Sequence, residues 1–217
     1  VNFLGPSYLG NAYDVFAVTN DPNLDSFSVN NLDQADAQTT ANISRRINLR
    51  KQLDQLKHRA DYLSQMDALD TFEQQAFSVL TGSAATEAFN IKAESEKTRE
   101  RYGRNRWGQQ LLLARRLVEA GVDLVTAQFS GTLCGGVGNW DDHPVNANCF
   151  EAIKYRLQFM DKAVAALIED IYDRGLDRRV LVVVTGEFGR TPRISYKAST
   201  GKRIGSAPAG TVQPGRD

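Results

Sequence analysis

The chain has 217 residues, 41% hydrophobic and 24% charged, and its 26 Lys and Arg balance 26 Asp and Glu. A net charge of zero gives nucleic acid or an anionic membrane surface no electrostatic hold. No apolar run approaches the roughly 18 residues of a transmembrane helix, and no signal peptide is present.

In chain order, residues 1–41 read as irregular, dense in Asn, Asp, Ser and Pro, with a short strand over Phe27–Leu32. Residues 42–66 predict an amphipathic helix with Ile43, Ile47, Leu53, Leu56, Ala60, Leu63 and Met66 near one face. His58 lies within it and reads as a packing histidine, because it lacks a carboxylate or Cys at ligand spacing. Residues 71–81 predict a second helix stopped at Gly82, and Ser83 caps a short one through Phe89. Residues 94–103 are highly charged. Arg99, Arg101, Arg104 and Arg106 either hold a phosphate or sulfate or, interleaved with Glu94, Glu96 and Glu100, form a solvated face.

Residues 106–120 predict a helix with Trp107, Leu111, Ala114 and Val118 inward and Gly121 at its end. Two short apolar, β-branched runs follow, Val122–Phe129 and Val180–Thr185, and both read as strands. Between them, residues 146–174 predict a long helix whose core stripe is Phe150, Ile153, Leu157, Met160, Val164, Leu167 and Ile171, closed by Gly175. Strand, helix, strand is the right-handed parallel crossover unit, whose C-terminal strand ends share one ligand-binding edge. Residues 195–217 are rich in Lys, Gly, Ser and Pro without a period, and read as a flexible loop or truncated tail. Both ends of the chain read as interruptions of a longer domain.

That edge would gather two polar clusters, Asn139-Trp140-Asp141-Asp142-His143 and Gly186-Glu187-Phe188-Gly189-Arg190-Thr191-Pro192. In an extended turn, residues two apart project together, so Asp141 and His143 pair while Asp142 points away. A carboxylate and an imidazole suit zinc, iron or manganese. Glu187 is the natural third ligand, Asp217 a fourth if the tail folds back, and Arg190 is placed to grip a phosphate or sulfate. The alternatives are structural: Asp141 or Asp142 capping the following helix, Glu187 pairing with Arg190, and Trp140 as a core aromatic. Cys134 and Cys149 flank the first cluster, as a disulfide pinning the loop or as two free thiols.

Gly108 through Val122, the Trp-Asp-Asp-His cluster and Gly186 to Pro192 resemble a large bacterial family, the domain of unknown function 1501, as do Glu87-Ala88-Phe89-Asn90 and Tyr102-Gly103. The resemblance runs across most of residues 1–194. It groups the chain with sulfatases and alkaline phosphatases and implies an α/β fold, an alkaline-phosphatase-like mostly parallel sheet flanked by helices, here incomplete and with a helical N-terminal half. On this reading residues 1–104 are the irregular and helical portion and 105–194 the helix-strand-helix-strand core. Carried over by position, Asp141, His143, Glu187 and Asp217 are the implied ligands of a divalent metal (zinc, calcium, manganese or iron). The implied activity is hydrolysis of a small-molecule or glycan sulfate or phosphate ester, in a protein exported to the periplasm or beyond. A non-catalytic anion-, glycan- or protein-binding relative is the alternative. Gly215-Arg216-Asp217 begins a third family motif whose following His is missing, and the superfamily's nucleophile-bearing strand has no counterpart, so the chain alone is expected to be inactive.

Overall fold

The computed structural model describes residues 15–29, 45, 87–133, 136–137, 140–186, 188–189, 191–203 and 205–216. The predicted helices over 42–66 (apart from Arg45, which is helical) and 71–81, with His58, fall outside these residues, as do Cys134, Glu187, Arg190 and Asp217. The chain divides into two compact units.

In the first unit, Val1–Asn20 with Ser26–Asn90, Phe16 meets Phe89 at 5.9 Å and Val29 is buried. Residues 87–89 are helical, while 27–29, within the expected strand, have no regular secondary structure.

The second unit, Asp21–Asp25 with Ile91–Asp217, is built on three helices. Helix α1 spans Glu96–Tyr102 and is capped by Ser95, whose hydroxyl accepts from the Thr98 N–H. Helix α2, Arg106–Glu119, starts at Asn105, whose side chain accepts from Gly108 N. It ends in a Schellman turn, with Val122 N–H donating to Leu117 O and Gly121 at φ 97°, where a left-handed residue is needed. Helix α3, Cys149–Asp173, is capped by Asn148, so neither Asp141 nor Asp142 serves as the cap.

Helix α3 packs on α1 and α2. Its most buried face is a small and polar stripe, Cys149, Ala152, Arg156, Ala163, Ala166 and Asp170, with Leu167 and Ile171 at one margin. The predicted apolar stripe runs about one residue later along the helix and is only partly covered: Phe150 and Leu157 are exposed. Alanines let the helices approach closely, and a charge network fills the contact. Arg115, with 1% side-chain exposure, reaches Glu94 at 2.9 Å, Glu119 at 2.6 Å and Asp170 at 2.9 Å. Asp170 also accepts from the Tyr102 hydroxyl and from Arg174, each at 2.9 Å. The basic cluster is taken up the same way. Arg101 binds Glu169 and Asp173, and Arg99 and Arg104 lie within 4.0 Å of Glu96. Between α1 and α2, fully buried Gln109 accepts from Arg99 Nε and donates to the carbonyls of Arg99 and Gly103. Gly108 leaves no room for a Cβ against the backbone of Tyr102 and Gly103. This part of the family motif is therefore structural.

Among the described residues the sheets are two antiparallel pairs: β1 (Thr132–Leu133) with β2 (Gly136–Val137), and β3 (Ser195–Ala198) with β4 (Val212–Gly215). The runs 122–129 and 180–185, expected as strands, have no regular secondary structure and join no ladder. Burial alternates along them. Val125, Ala127 and Phe129 are half-buried, as are Val180 and Val182, while Leu124 and Leu181 are 82% and 86% exposed. Val180 and Val182 line a groove of about 160 Å³ with Ile168, Ile171, Tyr172 and Asp177. Where the sequence predicts an aperiodic tail, residues 195–216 hold the β3–β4 hairpin, paired from Ser195–Gly215 to Ala198–Val212.

Candidate functional site

The site is the loop from Trp140 to Asn148, held from below by aromatic stacking and from the side by the hairpin. Trp140 stacks on fully buried Trp107 at 5.7 Å and 17°, and its Nε1 donates to Phe129 O at 2.7 Å. Trp107 in turn meets Phe129 edge-on and donates to Ser130 O. The Arg156 guanidinium lies 5.0 Å over the Trp140 ring. The same guanidinium forms a two-point pair with the Asp142 carboxylate, Nη1 to Oδ1 at 3.1 Å and Nη2 to Oδ2. Both partners are buried, Arg156 at 1% and Asp142 at 7% exposure. A buried carboxylate with a bidentate arginine partner is stable only while both members remain.

With Asp142 turned inward, its neighbours turn outward. Asp141 Oδ2 and His143 Nε2 stand 2.9 Å apart, with side-chain exposures of 55% and 39%. The alternation expected for an extended turn is thus present here. When Nε2 carries its proton, it donates to Asp141.

The loop backbone is bound on its other side. Four of its carbonyls accept hydrogen bonds from residues 200–216: Asp142 O from Arg216 N at 2.9 Å, Pro144 O from Gln213 Nε2 at 2.7 Å, Val145 O from Thr200 N at 3.1 Å, and Asn146 O from Ser206 Oγ. The His143 carbonyl accepts from Asn146 and Ala147 N–H groups. Asn148 N–H donates to Gly205 O at 3.0 Å. Gln213 is 1% exposed, and Gly215 leaves no space for a Cβ against Pro144. The hairpin thereby brings Gly215 and Arg216 beside the Trp-Asp-Asp-His loop.

Cys149, the first residue of α3, is a free, buried thiol. Burial pushes its pKa up, against the opposing charge of Arg216.

The donor chemistry suits a divalent ion. Two donors about 2.1 Å from one ion stand about 3.4 Å apart at the tetrahedral angle of zinc and about 3 Å apart in an octahedral site; the 2.9 Å Asp141–His143 spacing is that of their own hydrogen bond, which an ion would replace. Among the described residues no group of three or more His, Cys, Asp or Glu forms. Two of the four sequence candidates, Asp141 and His143, are therefore adjacent, and the other two lie outside the described residues. The sequence reading gives no role to Arg156 or Gln213, and names Arg216 only as part of the Gly-Arg-Asp motif. Arg156 carried a signal: it belongs to the second 3-4 repeat of α3, that of Cys149, Ala152, Ala163, Ala166 and Asp170.

The family model for DUF1501, described as a protein of unknown function, matches residues 2–209. The chain belongs to this family. No curated protein and no solved structure matches it. Among the described residues, no helix is long and apolar enough to cross a membrane.

Proposed function

We propose that the chain is part of a metal-dependent hydrolase of sulfate or phosphate esters, with Asp141 and His143 as metal ligands. The observation that carries this reading is the 2.9 Å approach of Asp141 Oδ2 to His143 Nε2 on the open side of a loop whose backbone is bound on the other. Ligands held before the ion arrives lose little freedom on binding it. Glu187 and Asp217 complete the proposed set. The ion would supply Lewis-acid activation of water and neutralise the ester's charge. The proposed frame is an alkaline-phosphatase-like sheet in which 122–129 and 180–185 are strands; their short, apolar, β-branched composition supports this. Export in the intact protein, and a glycan or small-molecule ester as substrate, belong to the same proposal.

The test is elemental analysis of the purified chain by mass spectrometry, beside an Asp141→Ala/His143→Ala variant. The expected result is near-stoichiometric zinc, calcium, manganese or iron in the parent and about tenfold less in the variant, since removing the ligands removes the site. Equal metal content in both would overturn the assignment. A metal-free parent that still binds oxyanions would favour the non-catalytic relative instead.

A further inference from the structure

Arg216 is half-buried, yet its Nε is fully buried without a hydrogen-bond partner among the described residues. Four other arginines withdrawn from solvent, Arg99, Arg115, Arg116 and Arg156, each have a carboxylate within 4.0 Å, although the Nε of Arg115 and Arg156 is likewise buried without a hydrogen bond. The carboxylate of Asp142, whose carbonyl accepts from the Arg216 N–H, is already paired with Arg156. Among the described residues no carboxylate is paired with Arg216, whose backbone is bonded to the loop that carries Asp141 and His143. Holding a guanidinium partly out of water without a counter-charge is costly. The Arg216 backbone is nonetheless firmly placed: it directly follows β4, which ends at Gly215, its N–H donates to Asp142 O, Gly215 closes against Pro144 and Gln213 fastens Pro144 O. A partly buried guanidinium with no carboxylate partner among the described residues suits recognition of a tetrahedral oxyanion, because its planar donors match the anion's oxygens.

We propose that Arg216 is an anion-binding residue of this site and grips a phosphate or sulfate group presented next to Asp141 and His143. This deepens the hydrolase reading and rests on its anionic substrate. It moves the grip from Arg190, the sequence candidate, to a residue delivered by the hairpin. Arg216 contacts the bound group; Arg156, closed off beneath Trp140 with Asp142, positions the loop.

The experiment uses the whole 217-residue chain in the presence of chelator, so that it does not depend on the metal. Binding of inorganic phosphate and of sulfate is measured by calorimetry against chloride at equal ionic strength, for the parent, Arg216→Gln, Arg216→Lys and Arg190→Gln. Loss of one charge-assisted contact predicts binding weaker by about tenfold or more in Arg216→Gln, with partial retention in Arg216→Lys. Arg190→Gln should leave binding unchanged. In the parent, phosphate should shield Arg216 from phenylglyoxal, read by peptide mass spectrometry, which needs no variant. Equal binding by parent and Arg216→Gln, absence of any preference over chloride, or no shielding of Arg216 would each overturn the proposal. Metal content of the same samples reports separately on Asp141 and His143. Anion binding without metal would thus sink the hydrolase reading and leave Arg216 standing, and the converse holds.

Discussion

The loop carrying Asp141 and His143 and the segment leading to Gly186 occupy parallel places in the sequence, each a polar cluster just past an apolar run. They are held very differently. Four loop carbonyls accept from the hairpin region, and beneath the loop lie the Trp107–Trp140–Arg156 stack and the paired Asp142. Residues 181–186, by contrast, have no regular secondary structure and no ladder, and Leu181, Val183 and Val184 are exposed. A polar loop is self-sufficient because turns, amide side chains and a neighbouring hairpin satisfy its backbone locally. An apolar extended run draws its stability from a paired strand and a covered second face. The rigidity of the candidate site therefore comes from charge pairing and hydrogen bonding around α3, and of the two apolar runs only the first touches it, through Phe129 against Trp107 and Trp140.

The largest expected effect breaks the well-held side. Arg156→Met leaves Asp142 buried without its partner, and removing one member of such a pair costs about 3–5 kcal/mol. Urea unfolding followed by circular dichroism measures this. The double variant Arg156→Met/Asp142→Leu removes both charges and should recover much of the loss. A single variant as stable as the parent would mean that Asp142 is not sealed under Trp140.

A second, smaller effect concerns the helical layer under the loop. Burial alone would raise the Asp170 pKa, but hydrogen bonds from Arg174 and Tyr102 and the charge of Arg115 outweigh it and hold the carboxyl below its usual range. Glu94 is likewise held low, its burial outweighed by Arg116 and Arg115. A lowered folded pKa means that the unfolded chain takes up protons first. The stabilisation is therefore present above the unfolded values of about 4 and is lost as pH falls through the folded ones. The urea midpoint should fall between pH 5 and pH 3, and less steeply in Asp170→Asn. Identical pH profiles for the two proteins would contradict the network.

What was legible in the sequence was local. Helix α2 was expected over 106–120 and spans Arg106–Glu119, and α3 was expected over 146–174 and spans Cys149–Asp173. A 3.6-residue period and the stops at Gly121 and Gly175 are written in neighbouring residues. The outward pairing of Asp141 with His143 followed from the two-residue period of extended chain. What stayed hidden depends on distant partners. The hairpin has four-residue strands, one of them containing Pro214, and its register is fixed by bonds to Pro144 and Asp142 some 70 residues away, as in the Gln213–Pro144 contact at a separation of 69. The buried face of α3 was misjudged by one helical position because size was weighed and charge was not. Arg156 and Asp170 lie outside the apolar period and are drawn inward by Asp142 and Arg115 opposite them.

The smallest expected effect sharpens the comparison from its open side. Leu181 and Val182 are adjacent, but Leu181 is 86% exposed while Val182 faces the groove with Ile168 and Ile171. With the outward face open, Leu181→Lys changes stability by no more than about 0.5 kcal/mol. Val182→Lys, which puts an ammonium against apolar side chains, should cost about 1–3 kcal/mol. The contrast between the two, read from urea midpoints on matched samples, cancels any general effect of adding a lysine to this segment. If Leu181→Lys costs as much as Val182→Lys, the outward face is covered in solution. Continuous apolar runs such as Leu181 to Val184 are the mark of strands buried on both sides. Equal costs would thus favour the proposed parallel sheet, and unequal costs would leave α3 as the sole support of this segment.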